Sequence, residues 1–484
     1  MNLNEYTSYD AVGLAGLVAR GEVSAAELAD AARRAVLAVN PHINAVVEHW
    51  EPEEGDLARA RAGGPLAGVP FLIKDLGIAM AGRRSELGSR LAAGMVANAD
   101  SILMTRFRQA GLVTIGRSTT PEMAFSTTTE SIQHGATGNP WQPTLTAGGS
   151  SGGAAAAVAA GIVPVAHATD AAGSIRIPAA HTGLFGLKPT RGRNSNGPRL
   201  DEVFAGFGVQ LGVSRTVRDS AALLDAIQGT PTGEPYHTAA PEQGFLREVG
   251  RDPGRLKIAL MAHPWNGARS QAPMVEAVEK VGRHLQGLGH TVEPAQAPLG
   301  VSWESFVHAN AQIWTATLVH SMDAIARITG RHLDASTLEP STLACCTYGR
   351  RVSGVDYVRA LDVRNRVTRA LGAWFQQYDI LLTPTLPEFP LPLGVYSQGA
   401  ETMDGLAWTE RVFRHAPFSP AFNVAGLPAM SMPLVSDASS GLPIGIQFGA
   451  GFAREDTLLR LAGQLEQSMP WSGRRPRVWA GDGR

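Results

Sequence analysis

The chain has 484 residues and a formal net charge of −1 at pH 7, and 18% of its residues are charged. This nearly neutral charge gives no electrostatic basis for binding nucleic acid or an anionic membrane, so we expect a small neutral substrate. The only cysteines, Cys345 and Cys346, are adjacent and would form a poor disulfide, and the N-terminus lacks a signal-peptide pattern, so we expect a cytoplasmic protein.

The predicted elements indicate an α/β protein. The first 50 residues predict two helices, the second with a capping box at 24–27 and an end at Pro41. From 65 to 186, short apolar strands such as 69–73, 113–115 and 162–166 alternate with helices of small residues, as in a largely parallel sheet. Residues 233–410 are more polar, with amphipathic helices such as 274–288. Segments 379–385, 441–447 and 454–465 predict a return to the core. No segment is long and apolar enough to span a membrane.

Lys74 is the first candidate catalytic residue. The chain has four lysines against 38 arginines, yet Lys74 stands in an apolar run, residues 68–76. Arginine stays protonated in proteins, whereas a buried lysine can lose its proton and act as a base. The alternatives are that Lys74 extends to solvent at a strand end or pairs with Asp75.

A glycine- and serine-rich segment at 148–153 is the second candidate, because it opens directly into an alanine-rich helix. A linker is the alternative, although linkers join domains. The segment also matches Gly-x-Ser-x-Gly, the nucleophile elbow of α/β-hydrolases, with Ser150 as nucleophile and a histidine such as His415 downstream. That interpretation needs a strand immediately before the motif. Residues 139–147 contain two prolines and predict a loop instead.

The third candidate is the turn at 169–178, which follows a predicted strand at 162–168. Its small residues allow backbone N–H groups to converge on one point, as an oxyanion hole requires, and Ser174 lies at that point. Asp170 and Arg176 bracket the turn, and we expect them to pair. A plain strand-to-helix turn with a surface serine is the alternative.

Together, Lys74 and segments 148–153 and 170–178 resemble, in order and spacing, the signature of the amidase signature family. The resemblance covers nearly the whole chain, and its further motifs are residues 120–124, 186–192, 422–429 and 441–447.

The resemblance implies a single amidase domain, 1–484, built on one large, mixed, twisted β-sheet wrapped by α-helices. Within it we expect N-terminal helices at 1–60, a signature core at 61–232, a variable helical substrate-pocket region at 233–410 and a return to the core at 411–484.

The implied triad is Ser174 as nucleophile, Ser150 as proton relay after a cis peptide bond, and Lys74 as base. The oxyanion donors are the N–H groups of Ala171, Ala172, Gly173 and Ser174. We expect support from Ser151, Asp170 and Arg176, and no metal or cofactor.

The substrate class follows from finer features. Ala172 stands where many family members have glycine, and 164–174 is closest in form to bacterial enzymes that open cyclic nylon oligomers, with similar members cleaving aryl amides or carbamates. We expect a small-molecule amide, carbamate or ester substrate and a monomer or homodimer. The alternative is the glutaminase A subunit of a tRNA-dependent amidotransferase. Candidate pocket residues are Met123, Phe125, Ser126, Trp303, Ile313, Trp314 and Thr315.

Overall fold

The computed structural model describes residues 1–198 and 202–482. The α-helices of this part of the chain are α1 (Leu3–Ser8), α2 (Ala11–Ala19), α3 (Ala25–Ile43), α4 (Glu54–Ala62), α5 (Ile102–Gln109), α6 (Gly152–Ala159), α7 (Arg176–Thr182), α8 (Val217–Ile227), α9 (Phe245–Glu248), α10 (Ala272–Gly287), α11 (Trp303–Thr329), α12 (Pro340–Gly349), α13 (Gly354–Trp374), α14 (Gly405–His415), α15 (Pro420–Ala425) and α16 (Glu455–Ser468). The strands are β1 (Val46–His49), β2 (Pro70–Lys74), β3 (Val113–Ser118), β4 (Glu130–Ser131), β5 (Gly135–Ala136), β6 (Gly138–Asn139), β7 (Gln142–Thr146), β8 (Val165–Asp170), β9 (Phe185–Lys188), β10 (Val209–Ser214), β11 (Lys257–Leu260), β12 (Thr291–Pro294), β13 (Ile380–Pro384), β14 (Ala429–Ser436) and β15 (Pro443–Ala450). None of these helices is long and apolar enough to cross a membrane.

One sheet of 11 strands organises the molecule, in the order β1-β3-β2-β8-β10-β9-β14-β15-β13-β11-β12. β2 pairs in parallel with β3 and β8, and β11 pairs in parallel with β12 and β13. The remaining neighbours are antiparallel. The expected mixed sheet is confirmed, whereas the largely parallel arrangement predicted from the strand–helix alternation holds only around β2. Strands from all four expected sections of the chain join this sheet, and the boundaries between those sections stay a prediction.

Helices cover both faces of the sheet. On β13, Ile380 and Leu382 belong to one buried apolar cluster and Leu381 to another, because successive side chains of a strand point to opposite faces. The first cluster contains the apolar sides of α3, α5, α6, α8, α10 and α16. The second is built mainly by α11 to α15, so the polar middle of the chain forms a helical layer over one face.

The N-terminal region has three helices where two were predicted. The Asp10 side chain accepts a hydrogen bond from Gly13 N–H at 2.9 Å, which caps α2 and separates it from α1. α3 begins with the predicted capping box of Ser24 and Glu27. It continues through Pro41 to Ile43, and the residue that follows, Asn44, caps the helix with a left-handed φ of 47°.

The segment before the glycine- and serine-rich motif is also more ordered than predicted. β6 and β7 form a two-stranded hairpin that covers most of the predicted loop 139–147. Because this hairpin lies outside the 11-stranded sheet, it is not the sheet strand that a nucleophile elbow requires.

Candidate active site

Lys74 is the last residue of β2 and is only 1% exposed. Its Nζ lies 2.7 Å from Ser150 Oγ, 3.0 Å from Ser151 Oγ and 2.9 Å from Thr169 Oγ1. Burial lowers the pKa of Lys74 from 10.5 to about 7, and the negative charges of Asp170 and Asp75 oppose this shift only in part. The lysine therefore neither extends to solvent nor sits in an ion pair, and it is poised to exchange a proton near neutral pH.

Asp75, the alternative partner of Lys74, is held elsewhere. Its carboxylate accepts hydrogen bonds from Arg117 and from the backbone N–H groups of Glu86 at 2.8 Å and Gly88 at 3.0 Å. Asp75, Glu86 and His134 place ligand atoms within 4.8 Å of one another, which is an arrangement that can suit a metal ion. However, the Arg117 guanidinium already bridges the two carboxylates, so we assign this group to an ion-pair network beside β2.

Ser150 precedes α6, and its peptide bond with Gly149 is cis, as the family resemblance implied. The Ser150 carbonyl accepts a hydrogen bond from Thr120 Oγ1 at 3.1 Å. Gly149 is in close contact with Thr128, because an added Cβ would lie 2.6 Å from the Thr128 carbonyl oxygen. The backbone at this point therefore has no room for a larger residue than glycine.

Ser174 lies in the turn between β8 and α7 and is half-buried. Its carbonyl accepts a hydrogen bond from Ser151 N–H at 3.3 Å, which holds the turn against the start of α6. Among the described residues, the Ser174 hydroxyl forms no hydrogen bond, including none to Ser150 Oγ. The structure thus joins Lys74 and Ser150 directly and holds the turn that carries Ser174 against the start of α6.

The Asp170 carboxylate organises this turn. It accepts hydrogen bonds from the N–H groups of Gly173 at 2.7 Å and Ile175 at 3.2 Å, and a bidentate pair from Arg176 at 3.0 Å for each contact. Burial raises the pKa of Asp170, but the charge and hydrogen bonds of Arg176, together with the Lys188 charge and the Asn423 hydrogen bond, outweigh burial, and the pKa falls to about 2. The predicted pairing of Asp170 with Arg176 is present, and the carboxylate stays charged.

The four expected oxyanion donors are not equivalent. Gly173 N–H donates to Asp170 Oδ1 at 2.7 Å, and the residue serves the turn through its φ of +126°, so its part in the oxyanion hole stays a prediction. The N–H groups of Ala171, Ala172 and Ser174 donate to no protein acceptor in residues 1–198 and 202–482. These three remain available to an oxygen of the substrate.

Arg176 is itself held by residues that the sequence did not single out. Its guanidinium donates to Asn423 Oδ1 at 2.7 Å, Gln447 Oε1 at 2.8 Å and the Ser419 carbonyl at 3.1 Å. Asn423 and Gln447 lie in motifs 422–429 and 441–447, which resemble the family signature. Their contact with Arg176 was not predicted. Thr169 likewise lies in the predicted turn at 169–178, but its contact with Lys74 was not predicted.

The candidate pocket residues divide into two groups. One buried apolar cluster contains Met123, Phe125, Ile313 and Trp314 together with Ala172, which lies in the turn that carries Ser174. Trp314 stacks on Phe125 with centroids 5.1 Å apart and on Phe204 with centroids 4.3 Å apart. Phe204 was not predicted, since nothing in its sequence neighbourhood marks it.

The other three candidates make local contacts. Trp303 packs on Phe306 at the edge of the cluster. The hydroxyl of Thr315 donates to the carbonyl of Ala311 at 2.6 Å, and Ser126 Oγ accepts from Thr128 N–H at 3.1 Å. His415, the histidine considered for a nucleophile elbow, contacts the rings of His181 and Tyr396 and forms no hydrogen bond with Ser150.

Comparisons with known proteins identify the family of this chain. Residues 27–459 match the model of the Amidase family. A 6-aminohexanoate-cyclic-dimer hydrolase of Paenarthrobacter ureafaciens is 35% identical over 482 residues, which cover 97% of this chain and 96% of that protein.

Two solved structures extend the similarity to the fold. A 6-aminohexanoate cyclic dimer hydrolase complexed with substrate superposes with a TM-score of 0.92 at 34% identity and covers 98% of this chain and 99% of the other. A bacterial aryl acylamidase of the amidase signature enzymes has a TM-score of 0.86 at 26% identity, with the same coverage. The chain therefore belongs to the amidase signature family and is an amide hydrolase.

Proposed function

We propose that this enzyme hydrolyses amide bonds of small, neutral, hydrophobic substrates through an acyl-enzyme on Ser174, with Ser150 as proton relay and Lys74 as base. The 2.7 Å contact between Lys74 Nζ and Ser150 Oγ, at a lysine whose pKa is lowered to about 7, carries the proposal. A base that is half neutral near pH 7 suits general-base catalysis.

In its neutral form, Lys74 has two N–H donors and one lone pair for its three hydroxyl partners. Ser151 Oγ donates to the Thr169 carbonyl at 3.2 Å and therefore accepts from Lys74. Thr169 Oγ1 accepts the second N–H. The lone pair is then left for the hydroxyl proton of Ser150.

The reaction follows from this arrangement. Ser174 Oγ forms a bond with the acyl carbon while its proton passes to Ser150 and the Ser150 proton passes to Lys74. The N–H groups of Ala171, Ala172 and Ser174 stabilise the oxyanion. The C–N bond breaks as the amine takes a proton back from Lys74 through Ser150. Water then attacks the ester by the same route, which releases the acid and restores Ser174, without a metal or cofactor.

The substrate class rests on the pocket wall and the relatives. Phe125, Trp314 and Phe204 form an aromatic stack in the cluster that includes Ala172, and such a wall suits apolar or aromatic acyl groups. Relatives are described as acting on a cyclic amide dimer and on aryl acylamides. We propose linear or cyclic amides as substrates, with aryl carbamates and esters as further substrates ranked by fit, and a monomer or homodimer in the cytoplasm.

The assignment of nucleophile and relay is tested with Ser174→Ala and Ser150→Ala. We expect Ser174→Ala to lower kcat by at least about a thousandfold and to prevent the acyl adduct that mass spectrometry detects on Ser174 of the wild type. Ser150→Ala should lower kcat strongly as well, because the proton path is broken. Ser220→Ala, a buried serine outside the site, is the matched control and should leave kcat unchanged.

An active Ser174→Ala protein, together with an acyl adduct that depends on Ser150, would instead support an α/β-hydrolase-like mechanism with Ser150 as nucleophile.

A further inference from the structure

The backbone N–H of Lys74 is held by a histidine side chain. The backbone pairs between β2 and β8 end at Leu72 and Ala166, two residues before Lys74. Beyond them, the Lys74 N–H donates to His167 Nδ1 at 3.3 Å. The His167 ring is buried and packs edge-on against Phe107, with centroids 5.9 Å apart. A side chain therefore supplies the acceptor at the point where the backbone pairing of the two strands has ended.

Hydrogen bonds continue from His167 to the backbone of Gly208. His167 Nε2 lies 2.9 Å from Gln210 Oε1, and Gln210 is a buried residue of β10. Gln210 Nε2 donates to Asn196 Oδ1 at 3.0 Å, and Asn196 Nδ2 donates to the Gly208 carbonyl at 2.9 Å. The series thus begins at a backbone N–H, which can only donate, and ends at a backbone carbonyl, which can only accept.

The two backbone groups fix the direction of every hydrogen bond between them. Because the Gly208 carbonyl accepts, both amide side chains turn their N–H groups toward Gly208 and their oxygens toward His167. Gln210 Oε1 then accepts from His167 Nε2, so the ring proton is on Nε2 and the lone pair of Nδ1 meets the Lys74 N–H. Burial lowers the pKa of His167 to about 3, although its hydrogen bond to Gln210 opposes the shift, and the ring is therefore neutral at neutral pH.

We propose that His167 is a positioning residue for the catalytic base, and that its neutral, Nε2-protonated ring fixes the Lys74 backbone so that Nζ stays within reach of Ser150. This role rests on the proposed function, in which Lys74 is the base. Lys74 Nζ contacts three hydroxyl groups that belong to other segments, so a shift of the Lys74 backbone moves Nζ relative to all of them. A misplacement of about 1 Å can lower the rate about a hundredfold.

The same arrangement occurs again, remote from the site. His290 Nδ1 accepts the Leu256 N–H at 3.1 Å, and His290 Nε2 lies 2.8 Å from Gln464 Oε1. Leu256 precedes β11 and His290 precedes β12, near the opposite edge of the sheet from β2. Because His290 is buried as well, its replacement removes an equivalent acceptor without a change beside Lys74. His290 is therefore the matched control for a purely structural role.

Steady-state kinetics on a p-nitroanilide with three variants test the proposal. His167→Phe keeps a ring but has no acceptor, and we expect kcat to fall at least about tenfold while KM changes less than about threefold. Asparagine places Oδ1 where the histidine has Nδ1, so His167→Asn should keep a kcat at least about five times that of His167→Phe. His290→Phe should lower the melting temperature about as much as His167→Phe does and keep the wild-type kcat.

The pH profile separates positioning from general instability. A buried N–H without an acceptor is costly, so the Lys74 backbone should shift in His167→Phe, and Lys74 then loses part of the burial that lowers its pKa. The acidic limb of kcat/KM should therefore move up by at least about half a pH unit in this variant and stay in place in His290→Phe. Asp170 and Asp75, whose charges also act on Lys74, are unchanged in both variants.

An unchanged kcat or an unshifted acidic limb in His167→Phe, an equal loss of kcat in His290→Phe, or equal kcat in the two His167 variants would overturn the proposal.

Nitrogen-15 NMR of histidine-labelled wild-type protein tests the ring state directly, and it decides if His167→Phe does not fold. The signals that are lost in His167→Asn should report a neutral ring with its proton on Nε2 from about pH 6 to 9. A proton on Nδ1 in this range would overturn the proposal. This measurement needs no turnover, whereas an active Ser174→Ala or Lys74→Arg would contradict only the proposed function, so the two proposals fail separately.

Discussion

At the scale of single residues, Lys74 combines burial with a 2.7 Å contact between its Nζ and the Ser150 hydroxyl. Because burial lowers the pKa of Lys74 to about 7, the base is lost by protonation below that pH. We expect kcat/KM for a neutral anilide to fall about tenfold per pH unit on the acidic side, with a midpoint near pH 7.

A second buried lysine provides the control for this pH profile. The pKa of Lys188 is also lowered to about 7 by burial, and its ammonium donates to the Pro189 carbonyl. The acidic limb should persist in Lys188→Met if Lys74 is its source. If the fall in kcat/KM at acidic pH disappeared in Lys188→Met, Lys188 would be the titrating group instead of Lys74.

Replacing Lys74 by arginine keeps the positive charge and removes the exchangeable proton. We expect Lys74→Arg to be nearly as inactive as Lys74→Ala in steady-state assays, since an arginine does not deprotonate in proteins. Substantial activity of Lys74→Arg would mean that the residue acts as an electrostatic or structural cation.

The same burial costs stability. The folded pKa of Lys74, about 7, lies below the unfolded value of 10.5, so between these pH values the unfolded chain binds more protons, and stability rises with pH across this window. Lys74→Met has no buried amine and therefore does not lose stability as the pH falls through this window. We expect its free energy of unfolding to exceed that of the wild type by about 1 kcal/mol or more at pH 6.5, with the advantage shrinking toward pH 10. Denaturant titrations at both pH values measure the difference, and a constant or absent advantage would contradict it.

At the scale of elements, the turn from β8 to α7 depends on a buried ion pair. Arg176→Met would leave the Asp170 carboxylate buried with a weakened set of partners, so we expect a loss of about 3–5 kcal/mol in stability. Because Asp170 also holds the N–H groups of Gly173 and Ile175, kcat should fall by at least tenfold in protein that remains folded.

Arg193 offers a matched comparison, since it is equally buried and pairs with Glu455 through two contacts of 3.0 Å. Arg193→Met should lose similar stability while the folded protein keeps its kcat. Circular dichroism melting and active-site titration separate the two effects. An equal loss of kcat in both variants would show that ion-pair loss acts through general instability.

The sequence predicted those parts of the site whose signal is local. Each of these signals lies within a few residues of the chain: a lysine in an apolar run, a serine between glycines, and the spacing of Asp170 and Arg176. Asn423 and Gln447 contact Arg176 from about 250 residues away, and Phe204 reaches Trp314 from a loop, so only the folded chain brings them together. The hairpin of β6 and β7 was predicted as a loop because prolines hide short strands.

At the scale of the whole molecule, the low net charge and the aromatic stack favour neutral substrates. We expect the isolated chain to turn over p-nitroanilides of hydrophobic acids, aryl carbamates and a cyclic amide dimer at least tenfold faster, in kcat/KM, than glutamine. Chromogenic assays and ammonia release measure the panel. Glutaminase activity that dominates the panel, or that appears only with added partner subunits, would identify an amidotransferase A-type subunit instead.

The overall fold was predicted through the family resemblance more than through hydrophobic periodicity. Strand–helix alternation correctly placed β2 and β3, and it predicted β8 three residues too early; β2 pairs in parallel with both of the others. It did not predict that β10 returns antiparallel beside β8, because strand direction depends on connections that periodicity does not encode.

The order of strands along the chain has a consequence for protein synthesis. Lys74, Ser150 and Ser174 all lie in the first 174 residues, but the groups that hold Arg176 come from 419, 423 and 447. During synthesis, Lys74, Ser150 and Ser174 are therefore present before the residues that hold Arg176 beside the Ser174 turn. We therefore expect hydrolytic activity to appear only after β15 has been synthesised and has joined the sheet, so the onset of turnover would report the folding of this strand.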